Sequence, residues 1–195
     1  MKRIAVMVSG GGTNLQAVMD AVEKGEIRDA EIVLVISGKN DAYALRRAEK
    51  RGVPTFIAGK TEWPDPVRRE EAIVKALKQA KTDLVVLAGY MDILPPSVVH
   101  AYAGRIINIH PSLIPKFCGL GFYGKRVHQA AIDAGETESG ATVHFVDEGV
   151  DTGPIILQRK TPVLPDDTAD TLAARVLKIE HQILVEAIRK VLENI

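Results

Sequence analysis

Short unbroken apolar runs alternate along the chain with stretches in which apolar residues return every third or fourth position. Ile4 to Val8 is the first run, cut off by Ser9 and three glycines. A run of that length, ended so abruptly, suits a strand buried on both faces, the habit of a parallel sheet. From Asn14 the spacing turns helical, with Leu15, Val18, Met19 and Val22 on one face and Gly25 as a stop signal. The strand pattern returns at Glu31 to Ile36 and the helical one at Ala42 to Arg51, followed by a brief strand over Thr55 to Ile57. Asp65 and Pro66 read as an N-cap with proline at the first helical position, opening a helix through Val74, Leu77 and Lys78. Leu84 to Ala88 and Arg105 to Ile109 are the next buried strands.

After Gly140 the grammar changes. Thr142 to Val146 and Ile155 to Val163 are strand-like but separated only by an Asp/Gly-rich loop, too short for a crossover helix, so they should pair antiparallel. A long amphipathic helix closes the chain from about Thr168 to Leu192, with Leu172, Val176, Ile179, Ile183, Ala187 and Val191 in register. The expected fold is therefore α/β: an open, mostly parallel, Rossmann-like sheet flanked by helices, with an antiparallel C-terminal hairpin and a long C-terminal helix. In such a sheet ligands bind beyond the carboxyl ends of the strands. The loops Ser9 to Thr13 and Gly89 to Pro96, and the segment after Ile109, are where chemistry is expected.

Composition fits one domain. A chain of 195 residues, 46% apolar and 26% charged, can close a single core. With 25 basic and 25 acidic side chains it has no net field to draw nucleic acid or an anionic membrane. The apolar start is too short for a signal or membrane segment, and the lone Cys118 cannot form an internal disulfide, so a cytoplasmic setting is expected. Neither H-E-x-x-H nor any close ligand spacing links His110, His128, His144 and His181, so no metal is expected.

Two stretches carry candidate chemistry. Ser9-Gly10-Gly11-Gly12-Thr13-Asn14 joins a strand to a helix start, where free N–H groups and the helix dipole favour a phosphate. It matches neither G-x-G-x-x-G nor a P-loop, so no nucleotide cofactor is expected; three glycines would also serve a plain tight turn. Asn108 and His110 lie two apart on one strand, on the same side and roughly 6 to 7 Å apart. An amide beside an imidazole suits acyl transfer, the first stabilising an oxyanion and the second moving protons, though a lone strand-end histidine can also be structural. The loop Asp147-Glu148-Gly149-Val150-Asp151-Thr152-Gly153-Pro154 can bring a carboxylate toward His110, or be a solvated turn. No G-x-S-x-G or other nucleophile motif is present, so direct attack by an acceptor is expected.

From Arg3 to about Leu192 the chain resembles the formyltetrahydrofolate-dependent formyltransferases, particularly the purine-synthesis branch acting on glycinamide ribonucleotide. The likeness lies in Ser9 to Gln16, Val86 to Met91, Asn108 to Leu113, Gly140 to Val146 and Asp151 to Gln158. It implies 10-formyltetrahydrofolate as co-substrate and a catalytic trio of Asn108, His110 and Asp151. It also implies acceptor contacts at Gly12, Thr13 and Asn14 for phosphate and Glu180 for ribose. The folate pocket would comprise Met91, Ile93, Leu94, Val146, Asp147, Glu148, Gly149 and Val150. Residues 1–100 would then be the acceptor and phosphate half, and 101–195 the catalytic and folate half, of an enzyme working on small molecules as monomer or homodimer.

Two positions depart from the family's pattern. Asp92 stands where members often carry a basic residue for the folate's carboxylate tail. Leu177 stands where the last helix can offer the phosphate a polar side chain, with Lys178 about 100° away around the helix. Phe117 to Lys125, matched by only some members, is expected to be a mobile surface loop near the site. Methionyl-tRNA, a sugar nucleotide or water are the rival acceptors within the class, and a non-catalytic phosphate-binding module is the rival outside it.

Overall fold

The computed structural model describes residues 1–195. Its strands are β1 (Lys2–Val8), β2 (Ala30–Ser37), β3 (Thr55–Ile57), β4 (Leu84–Leu87), β5 (Ile106–His110), β6 (Glu138–Phe145) and β7 (Ile155–Pro162). Between and after them lie α1 (Thr13–Glu23), α2 (Tyr43–Lys50), α3 (Pro66–Gln79), α4 (Pro96–Ala101), α5 (Lys125–Asp133) and α6 (Ala169–Leu192). The strands form one sheet in the order β3-β2-β1-β4-β5-β6-β7. Pairing is parallel from β3 through β5 and antiparallel for β5 with β6 and β6 with β7.

Period-2 alternation divides β1 between two cores. Ile4, Val6 and Val8 join Leu15 and Val18 of α1 and Leu172, Val176 and Ile183 of α6 on one face. Ala5 and Met7 join Ile73 and Leu77 of α3 and Val98 of α4 on the other. Each such Leu, Ile or Val contributes roughly 1.5–3 kcal/mol by leaving water, an upper bound since the unfolded chain is itself partly collapsed. Two helix starts carry side-chain caps, the first of them read from the sequence. Asp65 accepts from the N–H groups of Val67 and Arg68 ahead of Pro66, and Thr168 accepts from Thr171 N to open α6.

Three features differ from the sequence reading. Strand β6 already begins at Glu138, and Gly140 is what permits it: a Cβ there would lie 2.0 Å from the Arg159 carbonyl oxygen on β7. Helices α4 and α5 were not expected. Both are short, and the six residues of α4 include two adjacent β-branched valines, which blur a helical pattern. The β1, β4 and β5 strands all end at the same edge of the sheet, beside one another, and this sets the position of the site.

Candidate active site

Beyond the carboxyl ends of β4 and β5 lies a cavity of ≈ 670 Å³. Its size falls within the ~300–1,000 Å³ usual for small-molecule sites. Asn108, His110 and Asp151 all line it, as do Asn14 and Glu180. So do the eight residues expected to surround a folate, from Met91, Ile93 and Leu94 on one side to the Val146–Val150 loop on the other. Gly12 and Thr13 do not reach the wall.

Strand β5 supplies Asn108 and His110, and the β6–β7 loop folds back to supply Asp151 between them. The Asp151 carboxylate lies 3.6 Å from His110 Nδ1 through Oδ2 and 3.5 Å from His144 Nε2 through Oδ1. Asn108 Nδ2 is 3.4 Å from the same Oδ1 and 3.1 Å from His144 Nε2, while Gly119 N donates to Oδ2 at 2.9 Å. Holding the carboxylate there puts Asp151 in the left-handed region at φ 56, a conformation aspartate tolerates better than most residues. Burial pushes its pKa up, but the His144 hydrogen bond, the charge of His110 and the Gly119 N–H outweigh that and leave it below the usual carboxylate value. Asp151 is therefore ionised at neutral pH.

His110 is 5% exposed, with Nε2 held 2.9 Å from the carbonyl oxygen of Phe117. A carbonyl can only accept, so Nε2 carries the proton and Nδ1 is the nitrogen turned toward Asp151. His144 is fixed in the opposite sense, with Nδ1 2.8 Å from the Phe145 carbonyl oxygen. His144 is a site residue that the sequence reading did not single out. Its signal is the strand pairing that sets it directly opposite Asn108 across β5 and β6. His128 of α5 also lines the cavity; burial, then the charge of His110, lower its pKa.

Cys118 donates to the Pro115 carbonyl at 3.3 Å, and burial together with the charge of Asp151 raises its thiol pKa. It is not a ready nucleophile. No group of three or more His, Cys, Asp or Glu side chains is arranged to hold a metal ion.

At the other end of the cavity Asn14 Nδ2 donates to Glu180 Oε2 at 2.8 Å, and Asn14 Oδ1 is buried without a partner. Burial raises the Glu180 pKa, partly countered by Asn14. Gly12 opens α1 at φ 73, with no side-chain cap on the helix, and a Cβ there would lie 2.6 Å from that of Ala44. The open N–H groups of this helix start are turned to no protein acceptor. Ser9 ties this loop to the segment after β4 by accepting from Met91 N at 3.0 Å through its Oγ.

The two departures from the family's pattern are visible too. Asp92 lies at the cavity rim, ion-paired with Arg69 of α3 and 3.6 Å from Lys60 Nζ. Leu177 presents an apolar side chain to the cavity. The segment from Phe117 to Gly124 is made of turns and irregular backbone leading into α5 at Lys125, and Gly119 to Lys125 form part of the cavity wall.

Residues 2–188 match a family model described as formyl transferase. The chain is 46% identical over 183 residues to phosphoribosylglycinamide formyltransferase of Haemophilus influenzae, covering 94% of this chain and 84% of that protein. Phosphoribosylglycinamide formyltransferase from Bacillus halodurans superimposes with a TM-score of 0.91 at 37% identity, covering 99% of this chain and 96% of that one. Glycinamide ribonucleotide transformylase 1 from Symbiobacterium toebii gives 0.90 at 43%, covering 97% and 86%. With a family match across nearly its whole length and relatives this similar, the chain belongs to the formyl transferase family.

Proposed function

We propose that the protein transfers the formyl group of 10-formyltetrahydrofolate to the amine of glycinamide ribonucleotide, the third step of de novo purine synthesis. The observation that carries this reading is the convergence of Asn108, His110 and Asp151 on one wall of a cavity whose far end holds Asn14 and Glu180.

The acceptor amine attacks the formyl carbon directly, and the carbonyl oxygen gains negative charge in a tetrahedral intermediate. Asn108 donates to that oxygen. Its amide hydrogens are engaged by His144 and, at 3.4 Å, by Asp151, so the longer contact yields to substrate. His110, with Nε2–H on Phe117, accepts the amine's proton at Nδ1, and the ionised Asp151 stabilises the imidazolium so formed. As the intermediate collapses, the bond between carbon and the folate N10 breaks and N10 takes up a proton. The formyl group and a hydrogen have then exchanged places between two nitrogens, with no redox change. Positioning both substrates in one cavity supplies much of the acceleration.

Glu180 is suited to ribose hydroxyls, and Asn14 with the Gly12–Thr13 helix start to the phosphate. Met91, Ile93, Leu94 and the Val146–Val150 loop are suited to the pterin. On this reading residues 1–100 are chiefly the acceptor half and 101–195 the catalytic and folate half of a single domain. The balanced charge favours a cytoplasmic enzyme of small molecules, acting as monomer or homodimer without nucleic acid, metal or nucleotide cofactor. Incubating the protein with 10-formyltetrahydrofolate and glycinamide ribonucleotide, free of metal and ATP, should release deformylated folate only when the acceptor is present. Release without acceptor would mark a hydrolase, and no release at all would defeat the assignment.

A further inference from the structure

The cavity described above receives two anionic ligands on the proposed reading, yet its fixed charges are mostly negative. Asp92, Asp147, Glu148, Asp151 and Glu180 line it, and Lys125 is the one lysine or arginine that does. Lys125 is the first residue of α5 and shares the wall with Ala173, Ala174 and Leu177 of α6. Its Nζ lies 2.6 Å from Asp170 Oδ1, and the two side chains are 74% and 69% exposed. Such an exposed pair is weak and readily exchanged.

We propose that Lys125 is the cation that binds the acceptor's phosphate, exchanging Asp170 for phosphate oxygens when the acceptor enters. Four observations converge on it. Leu177 offers an anion no polar group from its place on α6, where the cavity-lining polar residue is the acidic Glu180. Asp170, Ala173, Ala174, Leu177 and Glu180 follow one stripe of α6, so the path from the resting partner to Leu177 is about 10 Å long and lined only by methyl groups. Three residues beyond Lys125, on the same face of α5, His128 Nδ1 is buried at the cavity without a partner. The α5 start itself has no side-chain cap; Val127 N donates to the Gly124 carbonyl, which leaves the N–H groups of Lys125 and Arg126 open beside the lysine.

This inference rests on the acceptor assigned above, so its test includes a probe that needs no formyl transfer. Ribose 5-phosphate is titrated calorimetrically into the wild type, Lys125→Ala, Lys125→Arg and Asp170→Asn, alongside steady-state kinetics of each. The expected result is ribose 5-phosphate affinity weaker by about tenfold or more in Lys125→Ala, with a matching rise in the KM for glycinamide ribonucleotide. The KM for 10-formyltetrahydrofolate should stay at the wild-type value, Lys125→Arg should retain most of the affinity, and Asp170→Asn should bind as well as wild type or better. Wild-type affinity in Lys125→Ala overturns the proposal, as does failure of the wild type to bind ribose 5-phosphate at all. A rise confined to the folate KM assigns the lysine to the folate carboxylates instead and overturns it equally. Equal losses in Asp170→Asn and Lys125→Ala would mean that the pair only clamps α5 to α6. Should formyl transfer to glycinamide ribonucleotide fail while Lys125→Ala still loses ribose 5-phosphate, the acceptor assignment falls and the phosphate site stands.

Discussion

Asn108 of β5 faces His144 of β6 across the antiparallel pair, with Nδ2 and Nε2 3.1 Å apart. Because the Phe145 carbonyl keeps a proton on His144 Nδ1, a singly protonated ring accepts from Asn108 at Nε2, whereas a doubly protonated one presents an N–H there to Asp151. In the singly protonated form the amide of Asn108 is fixed with its nitrogen toward His144, so on the proposed reading its donor end is set before substrate arrives.

That relationship predicts unequal and non-additive losses. Asn108→Ala should lower kcat about a hundred- to a thousandfold, the usual loss for one oxyanion donor. His144→Ala, which frees the amide without removing it, should cost about tenfold, within the range of coupled neighbours. The double variant should be little worse than Asn108→Ala alone. Single-turnover rates check this, and simple multiplication of the two losses would contradict it.

His110→Ala should lose roughly two to four decades in kcat while binding both substrates. Equilibrium binding of each substrate separates this from a folding defect. A wild-type rate in this variant would remove His110 from the proton path.

Asp151 ties pH to stability. Its folded pKa is depressed, so the unfolded chain binds a proton first as pH falls. The ionised carboxylate's contribution is fully present above the unfolded value of about 3.9 and disappears as pH drops through the lower folded value. The urea midpoint of wild type should exceed that of Asp151→Asn at neutral pH, and the gap should close in acid. A gap that is constant down to pH 3 would show that His144, His110 and Gly119 do not hold the carboxylate in its ionised form.

Glu180 works in the reverse sense. Burial raises its folded pKa, so its ionisation opposes folding increasingly as pH rises from the unfolded value of about 4.3 through the folded one. Glu180→Gln keeps an acceptor for Asn14 Nδ2 and should melt at a higher temperature than wild type at pH 7, with the difference fading below about pH 4. The same variant should raise the KM for the phosphorylated acceptor. Thermal melts across pH together with KM measurements test both halves, and a lower melting temperature at pH 7 would contradict the first.

The β1–α1 unit, the parallel strands and the α6 stripe were legible because each is a local pattern repeated over enough residues to be unambiguous. Asn108 and His110 were legible because two residues on one strand share a side. His144 was not, since its role depends on the β5–β6 register, which joins positions far apart in the chain. The partner of His110 Nε2 was equally hidden: it is the carbonyl of Phe117, which itself sits at φ 50, and no side-chain pattern announces it. Asp92 read as a missing cation in sequence, while in space Arg69 and Lys60 bring positive charge to the same rim from α3 and the preceding turn. Charge balance at a cavity mouth is a property of the assembled surface, which one position in the chain does not reveal.

On the proposed reading, the Ser9 hydroxyl that accepts from Met91 N belongs to the acceptor's loop while holding the backbone of the folate's. Such a shared bond should make the occupancy of one subsite felt at the other, and thermodynamic reciprocity then requires the two effects to be equal in size. Saturating either substrate should therefore shift the dissociation constant of its companion by one common factor, and Ser9→Ala should bring that factor toward unity.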